Sequence, residues 1–252
     1  MRHLLNVLNS VRASTARRWR GSMTRTGRVQ PAEPLRLFDC EGDAACRLVR
    51  EALTELDLDA IILPCPDGGH RYANELENLS GSRTPPFLID LDTDREAQGA
   101  EAILTYLFEH YADRPVPAAL TASSANLAQS ARASRIRGNA GRTVRRSQPA
   151  RQLLTLYSFE SSPYSRPVRE RLCELELGYR LINLGKQQLA DVGPAKLHLT
   201  LKPYRPLPGT KRAAFFARHG NVQVPYLEDP NTDTALFESA DILAYLDRTY
   251  GG

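Results

Sequence analysis

The chain has 252 residues, 42% of them hydrophobic and 25% charged, with a formal net charge of +4; that is long enough for two compact domains of roughly 100 residues, each with a modest core. No stretch approaches the roughly 20 apolar residues that cross a bilayer, and the opening MRHLLNVLNSV lacks the unbroken apolar segment of a secretory signal. Four cysteines (Cys40, Cys46, Cys65, Cys173) at irregular spacings give neither a metal-ligand pattern nor a disulfide framework, so the expectation is a cytoplasmic, reducing location with no metal and no transmembrane segment.

Charge is distributed unevenly. Residues 1–36 hold eight arginines against Glu33 alone, residues 112–151 hold eight more against Asp113 alone, and the remainder carries about −10. In chain order this reads as a basic N-terminal arm (1–34), a first domain (35–111), a basic linker (112–152) and a second domain (153–252). The arms share letters with each other, SVRAS at 10–14 with SARAS at 130–134, and few aromatic residues interrupt them apart from Trp19. Specific recognition of nucleic acid, which needs stacking platforms, is therefore not expected. The reading is that each arm wraps or tethers the domain after it.

The two domains are copies. CRLVREALTELDLD at 46–59 aligns with SRPVRERLCELELG at 165–178, an offset of 119; AILTYLFEHY at 102–111 aligns with DILAYLDRTY at 241–250, an offset of 139. Some twenty extra residues in copy two fall in the stretch from Leu184 to Gly209. Each copy opens with an apolar strand (Leu35–Phe38; Leu153–Tyr157). A helix follows whose apolar positions Val49, Leu53, Leu56 and Val168, Leu172, Leu175 recur at helical spacing. Next come a second strand (Ala60–Leu63; Tyr179–Leu184), a polar helix (Asn74–Leu79; Arg212–Arg218), a proline-containing strand and a closing amphipathic helix. Strand-helix-strand at the head of a short unit predicts a parallel pair within an α/β domain.

Residues 160–170, ESSPYSRPVRE, place Ser162-Pro163 at a helix start, where the first residue of a C-P-Y-C box would stand. With VPYLEDPNTDTALFESADILAYL at 224–246, this resembles the glutaredoxin and glutathione S-transferase N-terminal domain, a thioredoxin-fold module. The duplication resembles a tandem family of such domains. The resemblance implies two tandem thioredoxin folds with basic arms, and glutathione as substrate or ligand. It implies further that Ser162 donates to the glutathione thiolate at a helix N-terminus, that Val224 before a cis Pro225 pairs with the cysteinyl backbone, and that Glu238-Ser239 receives the γ-glutamyl group. Copy one departs from the pattern: Asp43 takes the first box position, Pro85 before Pro86 has no N–H, and Gly99-Ala100 replaces Glu-Ser. It is not expected to bind glutathione in that manner.

Plainer readings stand beside these. Ser162 and Ser165 are equally good as helix caps; Cys46 is either a lone reactive thiol or inert; a Cys40–Cys46 bridge is a matter of geometry; Cys65 and Cys173 read as buried apolar side chains. With no cysteine at 162 or 165, copy two cannot cycle through a box disulfide. The leading function is thus a glutathione-binding protein, a transferase or thiol-handling protein if active, with a homo-oligomer left open. The alternative is a non-catalytic binding or scaffold module that has lost its redox cysteines.

Overall fold

The computed structural model describes residues 2–25, 30–193 and 204–252. In chain order the elements are α1 (Arg2–Ala16), β1 (Leu35–Asp39), α2 (Ala44–Glu55), β2 (Ala60–Pro64), α3 (Ala73–Ser80), β3 (Phe87–Asp90), β4 (Arg95–Gln98), α4 (Ala100–Ala112) and α5 (Ser124–Ile136). The second half continues with β5 (Leu154–Ser158), α6 (Ser165–Glu174), β6 (Tyr179–Asn183), α7 (Lys211–His219), β7 (Tyr226–Asp229), β8 (Thr234–Phe237) and α8 (Ser239–Tyr250). A 3₁₀ turn at Leu189–Asp191 opens the insertion of copy two, of which residues 194–203 lie outside the described residues.

Among the described residues eight strands form one mixed sheet in the order β4-β3-β1-β2-β6-β5-β7-β8. Within each half the first two strands run parallel and a hairpin completes the edge antiparallel to the first strand. The halves meet where β2 pairs antiparallel with β6. Ile61 faces Arg180, its counterpart under the 119-residue offset, so a local two-fold axis passes between them. Edge-to-edge pairing leaves no exposed strand edge at the junction.

The copies share one core. The leucine and valine faces of α2 and α6, at the predicted spacings, lie with α4 and α8 on one side of the sheet in a single apolar cluster that includes residues of both halves. On the other side the cores are separate: Leu76 packs on Phe38 and Phe87 in one half, and Phe215 packs on Leu184 and Tyr226 in the other. At the far ends Asp90 accepts from the hydroxyls of Tyr106 and Tyr111, and Asp229 from those of Tyr245 and Tyr250 at 2.6 Å each. Each closing helix is thereby latched to its hairpin.

Two features differ from the sequence expectation. β4 and β8 are additional strands, too short to show an apolar alternation. The arms contain helices rather than only basic tethers. The buried face of α1 is Val7, Ser10, Ala13, Ser14 and, just past its end, Arg17; that of α5 is Asn126, Ser130, Ala133 and Ser134. These positions recur at helical spacing but are small and polar, so no apolar stripe reveals them. Each arm does tether the copy after it, through Arg17 on Glu51 and Arg137 on Glu170, but its helix crosses to the other copy. α1 precedes copy one yet packs on α6 of copy two, and α5 precedes copy two yet packs on α2 of copy one, while α1 and α5 lie against each other.

Replacing Tyr250 by Phe removes a donor to the buried Asp229 carboxylate and is expected to cost about 1–2 kcal/mol in urea unfolding. An unchanged midpoint would show that the latch contributes nothing.

Candidate functional site

Where the copies meet, five carboxylates and their arginine partners are buried together. Arg50 Nη1 donates to both oxygens of Asp39 at 2.5 and 2.7 Å and its Nε to Glu160 Oε2 at 3.0 Å. Arg169 donates in return to both oxygens of Glu41 at 3.0 and 3.1 Å. The V-R-E triplets of the repeat thus cross: the arginine of each copy reaches the glutamate two places before the first box position of the other. The arms close the set. Arg17 forks onto Glu51 (2.8 and 2.5 Å), and Arg137 forks onto Glu170 (2.7 and 2.5 Å). Gly21 and Gly141 bring the arms this close. Both have positive φ, and a Cβ on Gly141 would lie 2.9 Å from Glu41 Cβ and 3.0 Å from Glu170 Cα. Arg17 and Arg137 of the basic arms are here internal counter-ions of the copy that follows each.

Burial, opposed by Arg50, raises the Asp39 carboxyl to about 6. Burial also pushes Glu160 up, but Arg169, Arg50 and Arg47 outweigh it and hold that carboxyl at about 2. Glu51 and Glu170 are raised, chiefly by burial, against the pull of Arg17 and Arg137.

The box of copy two lies beside this lattice. Ser162 is 2% exposed and its Oγ accepts from the Ser165 amide at 3.2 Å and the Ser165 hydroxyl at 2.9 Å, which is the capping geometry. α1 and the turn after it cover the box: Ser14 Oγ donates to Ser161 O at 2.8 Å, Arg166 donates to Ser10 O at 2.8 Å and to Ser14 Oγ at 2.9 Å, and the Ser22 and Ser161 hydroxyls are hydrogen-bonded. The other end of the same helix reaches the start of α8, where His3 Nε2 lies 3.3 Å from the Oγ of buried Ser239. Ser162 and Ser239 therefore lie along one helix, under contacts separated by about 16 Å of helix axis at 1.5 Å per residue. The Val224–Pro225 peptide is cis, and Val224 packs in the Phe215 cluster. Glu238 is exposed, holds φ of 64° where copy one has Gly99 at 82°, and accepts from Gln223 at 2.7 Å.

Copy one keeps an open cleft at the corresponding place, with a volume of about 290 Å³. Cys40, Cys65, Asp43, Arg83, Thr84 and Arg142 are in its wall, along with the Pro66–Gly69 turn and Pro85, whose bond to Pro86 is cis. Asp43 caps α2, accepting from the amides of Ala45 at 2.8 Å and Cys46 at 3.0 Å. In copy two Phe159 stands at the position of Cys40, buried, with the Lys186 ammonium over its ring at 5.6 Å. Cys46 is fully buried, and burial raises its thiol well above the ordinary range. All four cysteines are free, so Cys40 and Cys46 are not bridged.

The family model of the glutathione S-transferase N-terminal domain matches the chain twice, over residues 37–115 and 156–252. The chain belongs to the glutathione S-transferase N-terminal domain family. No curated protein and no solved structure matches it. The family's two-fold match coincides with the two halves of the sheet, and among the described residues no helix is long and apolar enough to cross a membrane and no group of side chains is arranged to hold a metal ion. The crossed lattice is not part of the resemblance noted from sequence. Its signal was present in the repeated V-R-E and in Glu41 and Glu160 at the same offset, three charged positions duplicated together.

Removing Glu160 leaves Arg50 and Arg169 each short of a buried counter-ion. Glu160→Ala is expected to cost about 3–5 kcal/mol, read by urea unfolding. The pH dependence has a definite sign. Asp39, near 3.9 when unfolded, holds a proton in the folded chain from about 6 downward, so stability rises as pH falls from 7 toward 5. Asp57, raised to about 6 mainly by burial, adds to this. Glu160 acts oppositely and its contribution is lost as pH falls from about 4 toward 2. Asp39→Asn should show a smaller gain between pH 7 and 5 than the wild type; an equal gain would remove Asp39 from the account.

Proposed function

We propose that the protein is a glutathione-related binding protein rather than a transferase. The cleft of copy one takes the small ligand, and copy two, its serine box closed under α1, builds the junction that holds the cleft in shape. The observation that carries this reading is the contrast between the two corresponding places: Ser162 is 2% exposed with its hydroxyl engaged by Ser165, whereas the copy-one cleft is open beside Asp43. The cleft is small for a ligand site but within reach of the usual range. Its rim carries Arg83 and Arg142 with Asp43 and Asp67, a balance of charge suited to a zwitterion such as glutathione or a similar thiol peptide. The Arg142–Asp67 pair, at 2.9 Å with side chains 47% and 62% exposed, is a weak one and can exchange partners with a ligand. Four free thiols suit the reducing, cytoplasmic location expected from the sequence.

A second reading keeps the ligand at copy two, with Ser162, Val224, Pro225, Glu238 and Ser239. What favours it is Glu238, a non-glycine residue in left-handed backbone next to Ser239, a strain of the kind found at functional sites. It requires α1 to leave, because His3 stands against Ser239 and Ser14 against Ser161 beside Ser162.

Thermal unfolding with reduced glutathione separates the two. A ligand at 100 times its dissociation constant stabilises by about 2.7 kcal/mol. The shift should persist in Ser162→Ala and Ser239→Ala and vanish in Arg83→Ala with Arg142→Ala, and conjugation to a generic electrophile should stay at the uncatalysed rate. A shift lost in Ser239→Ala, or conjugation lost in Ser162→Ala, would overturn the copy-one assignment.

A further inference from the structure

We infer that Cys40 and Cys173 are a reversible dithiol–disulfide pair across the junction of the two copies, open through Cys40 to small zwitterionic disulfides in the copy-one cleft. The inference rests on the reading of that cleft as a ligand site. Cys40, Cys46 and Cys173 form a buried cluster of their own. Cys40 and Cys173 come from different copies and are packed together in it, and Cys40 Sγ donates to Gly141 O at 3.5 Å. The Glu41 amide donates to Cys173 Sγ at 3.4 Å and the Cys40 amide to Cys46 Sγ at 3.4 Å. Of the three, Cys40 is in the cleft wall, at the end of β1, while Cys173 lies behind it near the end of α6. Cys65, also in the wall, belongs to the separate cluster under α3 and turns its thiol to Leu63 O.

Position divides the roles. The Cys40 thiolate attacks one sulfur of a disulfide RSSR in the cleft; the S–S bond breaks, and RS⁻ leaves and takes up the proton that Cys40 lost. Cys173 then gives up its proton and attacks Cys40 Sγ, expelling the second RS⁻ as RSH. Two electrons pass from the pair to RSSR, giving two RSH and one Cys40–Cys173 bond. The neighbouring Cys40 thiol, and then burial, raise the Cys173 thiol well above the ordinary range, which suits a resolving group that is silent until the mixed disulfide forms beside it. Cys46 belongs to the same copy as Cys40 and takes the Cys40 amide, so it does not bridge the junction and is left out.

The test uses the reduced full-length chain with excess glutathione disulfide, followed by alkylation, non-reducing peptide mapping and measurement of released glutathione. The expected product is a Cys40–Cys173 linked peptide with two glutathione molecules released per chain. Cys173→Ser should stop at one glutathionyl group on Cys40, and Cys46→Ser should behave as wild type. A Cys40–Cys46 link, an adduct confined to Cys65, or no modification of the folded chain while the urea-unfolded chain oxidises would overturn the pair. The wild-type map decides the matter even if a variant fails to fold. A thermal shift with reduced glutathione and no exchange would leave the ligand reading standing and sink the pair; Cys40–Cys173 formation with 2-hydroxyethyl disulfide and no glutathione shift would support the pair and sink the glutathione reading.

Discussion

The crossed contact of Arg50 with Glu160 and Arg169 with Glu41 is the constraint on which the rest of the structure depends. All four side chains are almost wholly removed from water, and each arginine spans from its own copy to the other. Desolvation offsets much of the attraction in such a set, so its main effect is geometric: the forked arginines satisfy their acceptors only when β2 and β6 pair in the register that sets Ile61 against Arg180. The arms follow from the same demand. Glu51 and Glu170 would be buried without partners if Arg17 and Arg137 stayed in solvent, and Gly21 and Gly141 let the backbone approach closely enough to deliver them.

This arrangement bears on the hydroxyls that stand where a redox member of the family carries thiols. Ser161, Ser162 and Ser165 lie where the α1 helix and the turn after it press on copy two, and each has partners within the chain. Small polar groups suit that contact, since they satisfy the helix start and still allow close approach. Copy one meets α5 in the same way, through Ser130 Oγ donating to Ala44 O at 2.9 Å and Arg47 donating to Ser134 Oγ at 2.8 Å, yet it retains a cleft. The difference lies at the floor, where Cys40 is small and its counterpart Phe159 is not.

Much of the fold was legible in the letters because the repeat and the helical spacing of Val49, Leu53 and Leu56 report directly on burial. The proline strands were legible because Pro85-Pro86 and Val224-Pro225 sit at matching places. The arms were not. Their buried faces are made of serine, alanine and arginine, which show no apolar stripe, and each helix packs on the half of the chain it does not precede while its terminal arginine reaches back to the half it does. The letters singled out Ser162, Val224 and Ser239 as candidates, but whether a hydroxyl is open to a ligand is decided by what packs over it, and α1 is remote in sequence from all three.

Both copies and both arms form one cooperative unit held at the crossed lattice. Equilibrium urea unfolding followed by fluorescence of Trp19, the single tryptophan and a residue of the first arm, and by far-ultraviolet circular dichroism of the whole chain tests this most directly. The account predicts one transition with coincident midpoints by both probes. Release of Trp19 in an earlier, separate transition, with the helical signal intact, would mean that the arm is an independent appendage and would contradict it.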